Sequence, residues 1–104
     1  MTEIYFSPRF QKSISKIPLE VIQALTIKQS LFVINPFHST LRTHKLTGKL
    51  NQYYSFSITH SYRIIFEFLS KNKVAFVNIG THEIYKLSRK PQASFVHSGV
   101  SSFG

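Results

Sequence analysis

Residues 41–66 read LRTHKLTGKLNQYYSFSITHSYRIIF and decide the fold. Over 52–59, apolar and hydroxyl side chains alternate, which is the two-residue period of a strand with one buried face. Residues 62–69 are apolar on both faces, so they predict a second strand in a central position of the sheet. His60 and Ser61 between them are sufficient for a hairpin turn. The run before the hairpin reads as a loop with short extended pieces and a basic segment around His44.

The rest of the chain supplies a strand and two helices before this hairpin and a strand after it. Residues 3–6 favour extended structure, and Ser7–Pro8 predict an N-cap followed by a proline in the first helical turn. The first helix ends at Pro18, the second covers 19–35, and 73–79 form the last strand.

These elements predict an α+β fold with a mostly antiparallel sheet. An N-terminal strand and a two-helix hairpin precede an antiparallel meander of about three strands, and the helices pack on one face. Residues 1–87 form this single domain, and the Ser- and Gly-rich residues 88–104 form a C-terminal tail.

The composition is strongly basic, with 13 Lys and Arg against 4 Asp and Glu and a formal net charge of +9 in 104 residues. Such a domain attracts polyanions, so nucleic acid is the first partner class and an acidic protein the second; the other interpretation is a solvated basic surface. The absence of cysteine excludes disulfides, thiolate zinc sites and a cysteine nucleophile. With no signal-peptide pattern and no stretch apolar enough for a bilayer, we expect a cytoplasmic protein without a membrane partner.

The residue inventory excludes several kinds of active site. The five histidines do not have the spacing of a helical zinc motif, and the four glycines are too scattered for a nucleotide-binding loop. We therefore expect no metal and no cofactor. The four glutamates disfavour paired-carboxylate catalysis, and the absence of aspartate excludes a Ser-His-Asp triad.

The remaining basic, imidazole and phenol side chains suit RNA cleavage without a metal. RNA carries its own nucleophile, so a site need only deprotonate the 2′-hydroxyl, stabilise the phosphorane and protonate the leaving 5′ oxygen. Histidine can transfer the protons, arginine can bind two phosphate oxygens, and tyrosine can stack on a base or donate a proton. Taken singly, each residue also has an ordinary structural role. The candidates are His44, Lys45, Lys49, Tyr53, Tyr54, Arg63, His82, Tyr85 and Lys86.

Three segments resemble the RelE/ParE superfamily of toxins from type II toxin–antitoxin systems: HKLTGKLNQYYSFSI (44–58), YRIIFEF (62–68) and NIGTHEIYK (78–86). The resemblance covers residues 4–86 and is closest to the mRNA interferase branch that includes RelE and YafQ. It implies a RelE-like fold and a metal-independent endoribonuclease that cuts mRNA, often on the ribosome, by the 2′-hydroxyl route. It also implies an acidic antitoxin that wraps the toxin and covers its basic face.

The resemblance carries over to individual residues. His44 matches the histidine of the H-x-L-x-G element of YafQ-like toxins, and His82 matches that of the GTH element. By resemblance one of these two histidines is the base and the other the acid, and which is which stays open. Arg63 matches the strand arginine that holds the scissile phosphate, and Tyr85 stands near the aromatic residue that closes the site. The RNA-binding residues implied are Lys45, Lys49, Tyr53, Tyr54, Ser55, Ser57, His60 and Lys86.

The chain departs from the family pattern on strand 52–59. Where RelE-like toxins place lysines and YafQ-like toxins a histidine, the outward positions are Ser55 and Ser57. Three outcomes stay open: His44 and His82 suffice, His60 substitutes from the turn, or cleavage is weak or lost. Since the ParE branch shares the fold but poisons DNA gyrase, a gyrase inhibitor, an inactive antitoxin-binding relative and a plain RNA-binding domain are the alternatives.

Overall fold

The computed structural model describes residues 1–85, which form two α-helices and a five-stranded sheet. In chain order the elements are β1 (Glu3–Phe6), α1 (Pro8–Ile14), α2 (Leu19–Ile34), β2 (His44–Lys45), β3 (Tyr54–Ser57), β4 (Arg63–Ser70) and β5 (Lys73–Gly80), with 3-10 turns at Ser39–Leu41 and Gly48–Leu50. The strand order is β1-β5-β4-β3-β2; β1 pairs with β5 in parallel, and the other pairs are antiparallel. The predicted α+β class is confirmed.

The central position of β4 follows from its apolar side chains on both faces. Ile64 and Phe66 point toward the helices and join the larger core, which also contains Phe32 of α2 and Phe76 of β5. Phe32 is fully buried, and its ring centroid lies 5.0 Å from that of Phe66 and 5.3 Å from that of Phe76. Ile65 points to the opposite face of the sheet, called the open face below, and belongs to a second, smaller cluster.

The smaller cluster holds the end of the described chain against the open face. Ile84 is buried there among Tyr53, Ile65 and Val77. Gly80, the last residue of β5, makes this approach possible, because a Cβ at that position would lie 2.5 Å from Cγ2 of Ile84. Residues 84–85, which are helical, therefore fold back over the sheet.

Ser7 fixes the start of α1 as the sequence predicts. Its Oγ accepts a hydrogen bond from the backbone N–H of Phe10 at 3.0 Å and donates one to the carbonyl oxygen of Val77 at 2.8 Å. The helix ends earlier than predicted, at Ile14, because Ser15 donates its hydroxyl to the carbonyl of Lys12 at 2.7 Å and competes with the helical pattern.

The region predicted as a loop with short extended pieces contributes a two-residue strand. β2 pairs with β3 so that His44 lies opposite Ser55 and Lys45 lies opposite Tyr54. This pairing adds a strand to the edge of the predicted meander. The expected tail, 88–104, lies outside the described residues.

Candidate functional site

Polar side chains from two strands meet at the phenol of Tyr85 on the open face. The Tyr85 hydroxyl lies 3.1 Å from Oγ of Ser55 and accepts a hydrogen bond from Nη1 of Arg63 at 3.4 Å. The guanidinium carbon of Arg63 lies 5.8 Å from the centre of the Tyr85 ring, within the range of a cation–π interaction. The exposed His82 ring lies 5.5 Å from the Tyr85 ring, centroid to centroid. Arg63, His82 and Tyr85, predicted as site residues, are thus brought together.

Arg63 has unused hydrogen-bonding capacity at this position. Within residues 1–85 its guanidinium makes one hydrogen bond, to Tyr85, and its buried Nε has no partner. A guanidinium carries five N–H donors in a planar fork that suits a phosphate. The half-buried Arg63 can therefore bind an anion that reaches the open face, with Tyr85 holding its orientation.

His44 lies on the same face, at the edge of the sheet. Directly opposed residues of an antiparallel pair point to the same side with Cβ atoms about 5 Å apart, and His44 is opposed to Ser55. The His44 Nδ1 lies 3.1 Å from the carbonyl oxygen of Arg42. Because a carbonyl can only accept, this bond requires the proton on Nδ1, and the neutral ring then keeps its lone pair on Nε2. In its neutral form His44 can therefore accept a proton at Nε2.

Ser55 and Ser57 differ in their surroundings, although the sequence predicts both as outward positions. Ser55 is only 1% exposed because Tyr85 and the smaller cluster cover it, so it supports Tyr85 and is not an open contact surface for RNA. Ser57 is half-buried and lies opposite Arg63. The interpretation of Ser55 as an RNA-contacting residue is therefore corrected.

Two of the predicted aromatic contacts also lack a free face on this side. Tyr53 is 4% exposed inside the smaller cluster, so its ring does not offer a stacking surface. Tyr54 points toward the helices and packs on Phe66 and Phe68, with ring centroids 5.6 Å and 5.2 Å away. Lys45, opposite Tyr54, lies on that same helix side.

Two further predicted basic residues lie in turns. Lys49 is exposed in the 3-10 turn that precedes β3, and His60 is exposed in the β3–β4 hairpin turn. Lys86 lies outside the described residues.

The phenol of Tyr53 stays protonated in its buried position. Burial raises the pKa of Tyr53 above its ordinary value, and the negative charge of Glu67 raises it further. A hydrogen bond from Gln52 and the charge of Arg9 act in the opposite direction. Tyr53 is consequently a neutral part of the scaffold under Ile84, not a base.

A groove beside the site contains two basic residues that the sequence prediction missed, Lys28 and Arg42. It has a volume of about 680 Å³ and is lined by Lys28, Arg42, His60 and Arg63 together with hydroxyl-bearing side chains. Arg42 follows a 3-10 turn in the left-handed region, with φ of 54°. Two signals were available in the sequence: Arg42 belongs to the RTHK run, and Lys28 is the one cation within the α2 residues.

In residues 1–85, no group of three or more His, Cys, Asp or Glu side chains is placed to hold a metal ion. Neither α-helix in that range has the length and apolarity needed to cross a membrane.

The fold is shared with solved toxin structures. No protein-family model and no curated protein matches the sequence at a significant level. YafQ from E. coli strain BL21(DE3) superposes with a TM-score of 0.67 at 18% identity, covering 82% of this chain and 98% of YafQ. A YoeB/ParE toxin from Agrobacterium tumefaciens gives a TM-score of 0.65 at 13% identity, over 78% of this chain and 99% of that one. A chain of the YoeB–YefM complex from Staphylococcus aureus gives 0.62 at 20% identity, over 79% and 98%. The chain therefore has the RelE/ParE-like toxin fold.

Proposed function

We propose that this chain is the toxin of a type II toxin–antitoxin system and cleaves mRNA on its open face without a metal. The observation that carries the proposal is the convergence of Ser55, Arg63 and His82 on Tyr85, on the same face as the proton acceptor His44. The toxin structures that share the fold support the same class of protein.

The proposed reaction uses the 2′-hydroxyl of the RNA as its nucleophile. His44 takes the 2′-hydroxyl proton on Nε2, and the 2′ oxygen attacks the adjacent phosphorus. Arg63 binds the phosphate oxygens and stabilises the negative charge that builds up in the phosphorane. The bond from phosphorus to the 5′ oxygen then breaks, and this oxygen takes a proton from His82 or Tyr85. The products are a 2′,3′-cyclic phosphate and a 5′-hydroxyl.

An acidic antitoxin is the proposed protein partner. The formal net charge of +9 favours binding of a polyanionic or acidic chain. The solved YoeB–YefM structure from Staphylococcus aureus is a toxin–antitoxin complex, which supports such a partner for a chain of this fold. We expect growth of cells that express this chain to be restored by co-expression of an acidic protein encoded by a neighbouring gene.

Primer extension on mRNA from bacterial cells that express the chain tests the proposal. We expect discrete cuts with the parent, and uncut mRNA with growth restored for His44→Ala and Arg63→Ala. Lys71→Gln, in the turn between β4 and β5, is the matched control for loss of a charge and should cut normally. Cleavage that persists in both site variants would refute the assigned site.

The second candidate is a gyrase inhibitor of the ParE type. Ser55 favours it, because this buried serine offers RNA neither a base nor a cation on β3. The same cells separate the two candidates, because a gyrase inhibitor leaves mRNA intact and produces DNA damage. Growth arrest with damaged DNA and uncut mRNA would establish the second candidate.

A further inference from the structure

The basic groove continues from the candidate site around the β3–β4 hairpin to α2. Its volume of about 680 Å³ is in the range of small-ligand sites. Lys28, Arg42, His60 and Arg63 line it, and none of the glutamates within residues 1–85 does. Arg63 also bonds Tyr85, so the groove and the candidate site share one guanidinium.

Arg42 connects the groove to His44. Its side chain lines the groove, and its carbonyl oxygen accepts the Nδ1–H of His44 at 3.1 Å. With φ of 54°, Arg42 occupies the left-handed backbone region, which is strained for a residue with a side chain. Arg42 thus lines the groove and, through its carbonyl oxygen, holds the ring of His44.

Lys28 of α2 also lines the groove. Its Nζ donates a hydrogen bond to the carbonyl oxygen of Thr40 at 3.2 Å. An ammonium has three donors, so this contact fixes the charge at the groove and leaves donors for a ligand. The hydroxyl groups of Ser39, Thr40 and Thr59 add neutral donors to the wall. Fixed cations with hydroxyl donors and no lining carboxylate are the chemistry that recognises a phosphate.

We propose that this groove binds a backbone phosphate of single-stranded RNA next to the phosphate that is cut. The position of this phosphate along the RNA rests on the proposed function, because that function places the scissile phosphate at Arg63. An RNA strand that passes Arg63 then reaches Arg42 and Lys28, which line the same groove. The groove increases affinity for RNA of any sequence, since it contacts the backbone.

Fluorescence anisotropy with a labelled, fully 2′-O-methylated RNA of about ten nucleotides tests the groove. The methyl groups remove the nucleophile, so the signal reports binding whether or not the chain cleaves RNA. Arg42→Gln and Lys28→Gln should each weaken RNA binding several-fold. Between about 50 and 200 mM salt, each should also reduce by about 0.7 the magnitude of the slope of log affinity against log salt concentration.

Two further variants separate the groove from general charge and from folding. Lys71→Gln removes the same charge in the turn after β4, whose far end lies roughly 23 Å from Arg63 at 3.3 Å per residue. This variant should keep most of the affinity for RNA and most of its salt dependence. Arg42→Gly relieves the left-handed strain and removes the guanidinium, so it should bind as weakly as Arg42→Gln while melting within a few degrees of the parent.

Binding of poly-glutamate, an acidic peptide, is measured on the same variants for comparison. If the groove variants match Lys71→Gln with RNA but lose poly-glutamate binding, the groove docks an acidic protein and the proposal is overturned. RNA binding by the parent without salt dependence overturns it as well. Failure of the proposed function appears separately, as intact mRNA in expressing cells.

Discussion

The hydroxyl of Tyr85 lies 3.1 Å from the hydroxyl of Ser55, thirty residues earlier in the chain. Either oxygen can donate in this contact, while Nη1 of Arg63 donates to the Tyr85 oxygen from the next strand. A phenol held by two strands in this way has a fixed position, which is what a proton donor or a phosphate contact needs. Ser55 of β3 thus helps to position Tyr85.

Tyr85→Phe removes the hydroxyl and keeps the ring. If the phenol donates a proton or a hydrogen bond in the reaction, we expect the cleavage rate to fall about 100-fold. Stability should change by only about 1 kcal/mol, the value of a typical hydrogen bond. Initial rates of mRNA cleavage in a translation extract and urea unfolding measure the two effects.

Tyr5→Phe is the control for this prediction. It removes a phenolic hydroxyl from β1, at the other edge of the sheet, and should leave the cleavage rate unchanged. A Tyr85→Phe protein that cuts as fast as the parent would show that its hydroxyl has no part in the chemistry.

Arg63→Lys preserves the charge and removes the planar fork. Because an ammonium binds a phosphate as a point charge, we expect the cleavage rate to fall about tenfold or more, and Arg63→Ala to lower it further. The lysine also loses the stacked contact with the Tyr85 ring, now 5.8 Å from the guanidinium carbon. Equal rates for parent and Arg63→Lys would mean that charge alone matters at this position.

The fold could be predicted from the sequence because its signals are local. The alternation over 52–59, the apolar faces of β4 and the Ser7 cap each depend on neighbouring residues, and the structure has the strand or cap at each place. Part of the site followed from the same logic, since adjacent strands bring Arg63 and the end of β5 together.

Long-range packing accounts for what the sequence did not predict. Ser55 is buried because residues 84–85 fold back over it, and no pattern within β3 reports that contact. Tyr53 and Tyr54 point to opposite faces and are both packed, which a count of aromatic residues cannot reveal. The groove joins Lys28 of α2 to Arg42, and that approach depends on how the helices pack.

Phe32→Ala should cause a large loss of stability. Phe32 is fully buried and contacts rings from three strands, including Phe56 at 5.0 Å, so truncation leaves a cavity and costs about 3–5 kcal/mol. Ile34→Ala, on the same helix but 73% exposed, should cost less than about 1 kcal/mol. Urea unfolding of both variants gives the comparison, and similar losses would argue against the helix packing described above.

Tyr53→Phe should remove one component of the pH dependence of stability. The raised pKa means that the folded protein holds the phenolic proton more tightly than the unfolded chain. This contribution is fully present below the unfolded value of about 10 and is lost as the pH rises through the folded value. The free energy of unfolding of the parent should therefore fall more steeply above pH ~10 than that of Tyr53→Phe. Parallel curves from urea unfolding would mean that the two states bind this proton equally.

Gly80→Ala should disturb the site through Ile84. The added Cβ would lie 2.5 Å from Cγ2 of Ile84, so the segment that carries Tyr85 must move away from the sheet. We expect cleavage to fall as Tyr85 loses its contacts with Ser55 and Arg63.

Ile84→Ala alone should cost about 2–5 kcal/mol, because it empties part of the smaller cluster. In the Gly80→Ala background the same change removes the clash and should cost less, so a double-mutant cycle by urea unfolding should give a coupling of about 1 kcal/mol or more. Additive losses would show that Gly80 and Ile84 do not constrain each other.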